Sequence, residues 1–380
     1  MTLFLFSLCA ILITWVGYPL LLVFISKVFW VNRSQQCSSS MNPKLSVCII
    51  VSAFNEEKNI EQRIKNLLQQ NLDDSIELHI HIGSDGSTDR TAELVQNFTE
   101  KNIHLHKFKR EGRATVHNEI VSNIESEILI FTDAETEFEE NFISNITKPF
   151  RFEEVGVVVG NLFYKNTGSD SNQAESVYWK YEKFIRKLEE ECGILANGTG
   201  AAMAVRRSLY NPIESSEDVD SAIPIDAHAK GFQVIYCWDA IAYDYTIESD
   251  EQAFHSKIRG ASQTMLCWKN RITLGLIFQN KLLFLSFLFH RFFRYSTFIF
   301  IIVCFLSIGL SIYNKENEIF NLVFLLLSSL VLIGGSIFQK KQNNGILKRL
   351  AVFSYLFFVS SLGMFIGMIK GLINKSSSIY

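Results

Sequence analysis

Four stretches of the chain are almost purely apolar. Residues 1–26, 295–313, 319–338 and 350–369 contain no Asp, Glu, Lys, Arg or His. Each is close to the roughly 20 residues a helix needs to cross a bilayer core. They predict four membrane spans. Gly17 and Pro19 interrupt the first, which a membrane helix tolerates. No basic segment precedes it and no small-residue cleavage site ends it, so a retained span is expected rather than a cleaved signal.

Between the first and second spans the pattern changes to short apolar runs alternating with amphipathic segments. Residues 45–51, 76–82, 103–108, 127–132, 155–160 and 232–237 read as strands. Ile60, Ile64, Leu67 and Leu68 mark one helix face. Ser87 or Thr88 is expected to cap a helix running to about Phe98. Residues 115–124, 171–191 and 218–229 complete the helices. This alternation predicts an α/β fold, its sheet covered on both faces. In residues 271–294, Lys281, His290, Arg291 and Arg294 interrupt aromatic and aliphatic runs. Interface helices fit that pattern, and a core helix of the soluble unit is the alternative. The predicted units are a first helix over 1–31, a soluble domain over 42–270 after a polar linker, interface helices over 271–294, and three spans over 295–370.

Flanking charge orients these units. Lys27, Arg33 and Lys44 follow the first span, and Lys340, Lys341, Lys348 and Arg349 join the third to the fourth. By the positive-inside rule the soluble domain faces the cytoplasm from the cell (inner) membrane. A formal net charge of -3 with no basic stripe argues against a nucleic-acid partner. The 7 cysteines form no CxxC, so neither a zinc site nor a disulfide framework is expected.

Ligands of open α/β sheets bind at the C-terminal ends of strands, and carboxylates gather there: Glu56, Asp85, Asp133 and Glu135. Asp133-Ala134-Glu135 follows a buried strand and can offer two oxygens to a hard divalent cation; a solvated turn has the same composition. Gly83-Ser84-Asp85-Gly86-Ser87-Thr88-Asp89 is a tight turn but neither a P-loop nor GxGxxG. Glu217-Asp218-Val219-Asp220 offers a base for an attacking hydroxyl, or simply an acidic helix start. His79, His81, His104 and His106 alternate in two strands without flanking acids and read as ordinary sheet positions.

Together these motifs resemble family 2 glycosyltransferases, in particular the membrane-bound branch that includes hyaluronan, chitin and poly-N-acetylglucosamine synthases. The resemblance runs from Gly17-Tyr18-Pro19 to His290-Arg291-Phe292-Phe293-Arg294. It implies a GT-A-type domain with a mostly parallel sheet, Mg²⁺ or Mn²⁺, a UDP-sugar donor, and a lipid-linked or polysaccharide acceptor beside membrane lipid. On the matching positions, Ala53, Asn55 and Glu56 belong to the first nucleotide loop, and Asp85 reads the uracil edge. Arg113 and Asn118 support the nucleotide and its diphosphate. Asp133, Ala134 and Glu135 match the metal motif, with Glu135 where the usual second acid is Asp. Gly198, Thr199, Gly200 and Arg206 lie in the segment beside donor sugar and acceptor. For the base, spacing to Pro224 and Gly231 favours Asp220, while the Glu-Asp dipeptide favours Asp218. Inversion at the anomeric carbon is implied.

One departure concerns processivity. Gln263-Thr264-Met265-Leu266-Cys267-Trp268 stands where processive members carry Gln-x-x-Arg-Trp. Lys257, Arg259, Lys269 and Arg271 are nearby cations that could serve the diphosphate instead. Four spans make a polymer path only with the interface helices, a homo-oligomer or an export partner. A non-processive transferase acting on a lipid carrier, and a silent assembly subunit, are the alternatives.

Overall fold

The computed structural model describes residues 2–28, 44–165, 170–245, 250–315, 317, 319, 321–326, 328–329 and 346–374. The linker over 32–42 and most of the span over 319–338 lie outside the described residues.

Helix α1 (Thr2–Val28) contains a π-helical stretch at Ile13–Gly17, just before Pro19. The soluble unit follows as β1 (Leu45–Ala53), α2 (Ile60–Leu68), β2 (Ile76–Asp85), α3 (Thr91–Gln96), β3 (Ile103–Phe108), α4 (Arg113–Ser122), β4 (Ile128–Asp133), β5 (Glu137–Phe138), α5 (Phe142–Thr147), β6 (Val155–Lys165), α6 (Asp170–Glu191), β7 (Met203–Arg206), α7 (Val219–Ala229), β8 (Gln233–Tyr245) and α8 (Asp250–Arg271). Then come α9 (Leu274–Gln279), α10 (Lys281–Phe293), α11 (Thr297–Tyr313) and α12 (Ile346–Leu372).

The eight strands form one sheet in the order β3-β2-β1-β4-β7-β6-β8-β5. The first four are parallel, as βαβ crossovers require. β7 runs antiparallel to both β4 and β6, and β5 antiparallel to β8. β6 and β8 are parallel to each other, so the sheet is mixed, with four parallel pairings and three antiparallel ones made by β7 and β5. The sheet separates two cores. Ile60, Ile64 and Leu67 of α2 pack on one face with Phe142 and Ile146. On the other face, α4, α6 and α7 pack together with Tyr18 and Leu22 of α1.

Helix α3 begins later than the expected Ser87 or Thr88 cap. Arg90 occupies the cap position, and Asp89 accepts from the Thr91 amide. The Ser87 hydroxyl instead accepts from the Asn55 amide, and the Thr88 amide donates to the Asn55 side chain. Tertiary bonds between two loops have displaced a local cap.

By length and composition, Thr2–Val28 and Ala351–Leu372 can each cross a membrane; α10 and α11, bent by 54°, make a third span if counted as one. These apolar helices mark a membrane protein with a soluble unit between its termini. The predicted interface segment has a double character. Leu274 and Phe278 are exposed, whereas Leu276, Leu283, His290 and Arg291 are buried against the soluble unit. Helix α12 lies along α8: side chains at Gly367 and Gly371 would collide with the backbone of α8.

Candidate active site

Strand register places the candidate acids on one rim. Ala53 pairs with Ser84, one residue before Asp85, and Ser52 pairs with Asp133, so three parallel strands end together. β1 ends at Ala53, and the chain turns through Asn55 in the left-handed region (φ 55°). Glu56 then donates its amide to Thr91 Oγ1 at 2.8 Å.

Asp85 is buried, and its carboxylate is satisfied within the fold. Arg110 Nη1 donates to it at 2.6 Å, and the amides of Glu111 and Gly112 donate at 2.8 and 3.1 Å. Asp85 thus shapes the loop that leads into α4, while the Arg110 guanidinium lies 3.4 Å from the centre of the Phe54 ring. Gly86 (φ 70°) is required here, because a side chain would meet the backbone of Arg110.

Arg113, the first residue of α4, joins two arms of the cleft. Its Nη1 lies 3.5 Å from Asp133 Oδ1 and its Nη2 lies 3.6 Å from Asp220 Oδ1. Gly200 faces the same spot: a Cβ there would collide with Asp220 Oδ1 and come within 3.0 Å of Arg113 Nη1. Asp133, Arg113, Gly200 and Asp220, far apart in sequence, therefore converge.

The two base candidates differ in role. Asp218 caps α7, accepting from the Asp220 amide, from Ser221 Oγ at 2.7 Å and from Thr264 Oγ1 at 3.1 Å. Burial and the Asp220 charge push its pKa up to about 6. Asp220 turns its side chain toward Arg113 and Gly200, and its buried Oδ1 pairs with Arg113 without accepting a hydrogen bond.

Glu135 follows Asp133 by two residues. Its side chain keeps an exposed surface, yet the surrounding protein mass, then Asp133 and Glu56, push its pKa up to about 8. Glu56 is raised as well, by burial and then by Asp133 and Asp89, against the Asn59 hydrogen bond. A carboxylate group that raises its own pKa values is short of positive charge, and its hard oxygens suit Mg²⁺ or Mn²⁺. Among the described residues no three ligating side chains already stand in metal-binding geometry. Two protein carboxylates would therefore need oxygens from a ligand to complete the shell.

The glycosyltransferase family 2 model matches residues 48–213. The soluble unit carries a family 2 glycosyltransferase fold, consistent with a sugar-transferring enzyme. A mannosyltransferase from Pyrobaculum calidifontis, solved with GDP-Man and Mn²⁺, shares the fold over 98% of this chain and 99% of its own, with a TM-score of 0.72 at 15% identity. Poly-beta-1,6-N-acetyl-D-glucosamine synthase of Staphylococcus aureus (strain COL) is 22% identical over 231 residues, covering 55% of each chain. The Staphylococcus epidermidis enzyme of that name is 21% identical over 243 residues, covering 62% of this chain and 53% of its own. The chain spans about half the length of the curated relatives it matches.

Two expected site residues of the family 2 domain lie elsewhere. Arg206 pairs with Ile128 at the opposite end of β4 from Asp133. There its guanidinium donates to the carbonyls of Phe150, Phe152 and Val155, because β7 runs antiparallel and carries its end away from the rim. Asn118 clamps the Ile213 backbone and accepts from Tyr210, which supports the wall behind the cleft. Ala134 is buried beneath the acidic turn, and Gly198 donates its amide to the Asp220 carbonyl at 2.6 Å. Arg271 is held by Glu217 and Asp226, and Lys269 by the Leu372 carbonyl and Asn374, so both cations are engaged within the fold. Trp268 is buried and stacked on Phe287.

Arg63 is the residue the sequence reading missed. Fully buried, it donates to Thr132 Oγ1 at 2.7 Å, directly before Asp133. The signal was present: an arginine on the apolar face shared by Ile60, Ile64 and Leu67 needs a buried reason.

Proposed function

We propose that the protein transfers a sugar, with inversion, from a UDP-sugar to a lipid-linked or polysaccharide acceptor at the cytoplasmic membrane face. The observation that carries this reading is Arg113 standing between Asp133 and Asp220. It links Asp133, the proposed cation-binding acid, to Asp220, the proposed base. Asp133 and Glu135 would hold Mg²⁺ or Mn²⁺, which neutralises the leaving diphosphate when bound. Asp220 takes the proton of the attacking hydroxyl. Asp85 and Asn55 order the loops that receive the base and ribose, and Glu56 adds acid near the ribose. Gly198, Thr199 and Gly200 form the turn beside donor sugar and acceptor and pack against Asp220. The apolar helices at both ends hold this cleft near a membrane-embedded acceptor.

A single-sugar transfer to a lipid carrier is the second reading. It is favoured by Trp268, which packs on Phe287 without the preceding arginine of the processive motif, and by the engagement of Arg271 with Glu217 and Asp226. Because the whole-length structural neighbour was solved with GDP-Man, the donor test spans both nucleotides. Membranes containing the full chain are given a panel of radiolabelled UDP- and GDP-sugars with Mn²⁺. Turnover of one donor by the native chain, with Asp220→Ala silent, supports transfer; a product ladder against a single-sugar lipid separates the two readings. A silent native chain that also fails to bind any donor would reject both.

A further inference from the structure

Helix α6 carries a buried polar stripe. Glu182 accepts from Arg294 at 2.8 Å and pairs with His290 at 3.2 Å. Glu189 accepts from the Tyr18 hydroxyl, the Ser286 hydroxyl and His290 Nδ1, each at 2.7 Å. The first span, α6 and α10 are thereby tied at one level. Arg186 sits between these two acids on the same face. Its Nε lies 3.5 Å from Glu182 Oε1, and its Nη1 donates to Thr199 Oγ1 at 2.8 Å.

Thr199 is the middle of three residues that surround the proposed base. Gly198 before it is hydrogen-bonded to the Asp220 carbonyl, and Gly200 after it abuts the Asp220 carboxylate. The Thr199 carbonyl accepts from the Ala202 amide at 2.8 Å, which closes the turn. The Thr199 side chain is thus the handle on this turn, and Arg186 holds it from outside the cleft.

We infer that Arg186 is a positioning residue for the transfer: through Thr199 it sets the Gly198–Gly200 turn around Asp220, from a helix whose own placement is fixed by the membrane-proximal Arg294 and His290. The inference rests on reading Asp220 as the base. Small displacements of a reacting group are expensive, about a hundredfold in rate for an ångström.

The test uses the full-length chain in detergent or nanodiscs, with Mn²⁺ and the nucleotide sugar the native chain turns over. Arg186→Met is expected to lower kcat by about tenfold or more while the donor KM moves less than about threefold. Thr199→Val, which leaves α6 intact, should do the same. The double variant should be no worse than the worse single one, because both break one coupling. Arg186→Lys should recover part of the loss. Hydrogen exchange of the peptide amides at 198–202 gives a readout independent of turnover, and Arg186→Met should raise it selectively. Additive losses, a change in KM alone, or unchanged exchange in that turn would overturn the inference. A native chain that turns over no donor, with exchange still responding to Arg186→Met, would instead count against the transferase reading and leave the positioning contact standing.

Discussion

The cleft rim and the membrane-proximal stripe of α6 are built from the same residue types and come out opposite in charge balance. At the rim, Glu135 and Glu56 are pushed up in pKa by burial and by neighbouring acids. In the stripe, burial also pushes Glu182 upward, but Arg294, His290 and Arg186 outweigh it and hold the carboxylate well below its usual range. A compensated acid serves as a joint. An uncompensated one is costly unless something positive arrives, which is why clusters of this kind mark sites of chemistry.

The comparison breaks most visibly in activity. Asp220→Asn should lower kcat by about 10²–10⁴, the range for removing a general base, while Glu182→Gln should act through stability rather than on the chemical step. Equal losses of kcat per folded enzyme would erase the distinction between the two regions.

Stability is the next largest effect and runs the other way. Glu182→Ala removes the buried acid that Arg294, His290 and Arg186 share, and breaking a buried pair in this way costs about 3–5 kcal/mol. Thermal melting in detergent should fall steeply for it, whereas Glu135→Gln should leave melting of the metal-free protein unchanged or raised.

The pH response sharpens the contrast further. A carboxyl whose folded pKa is raised stabilises the fold fully below its unfolded pKa, and that contribution is lost as pH rises through the folded value. For Glu135 the metal-free protein should therefore lose stability between its ordinary value of 4.5 and about 8. Mn²⁺ competes with that proton, so its affinity should climb toward pH 8 and binding should release protons below it. Calorimetry in buffers of different ionisation enthalpy reads both; flat affinity with no proton release would remove Glu135 from the ligand set.

The smallest effect separates two neighbours. Asp218→Asn keeps a good helix cap and removes a buried carboxyl raised to about 6. Its stability at pH 7 should stay within about 1 kcal/mol of the native chain, with most turnover retained. Loss of turnover comparable to that of Asp220→Asn would reverse their roles.

Much of this was legible in the sequence. The apolar runs set the strands, because a strand buried on both faces reads as a near-continuous hydrophobic segment. Asp133 could be located because strand ends in such sheets face ligands. The reading failed where one residue's role depended on chain direction. Arg206 shares a segment with Gly200, yet β7 runs away from the rim and carries it to the far end. Ser87 and Thr88 look like caps but serve the loop at Asn55, 32 and 33 residues away.

The sequence by itself determined six of the eight strands, which segments can enter a membrane, and which loops are acidic, since period and charge are local properties of the chain; the short β5 and β7 and the helices α5 and α8 escaped it. Only the tertiary structure decided which acids lack a partner. Whether a carboxylate meets an arginine, an amide or empty space depends on side chains brought from distant positions, as Arg113 is brought between Asp133 and Asp220, and Arg186 to Thr199.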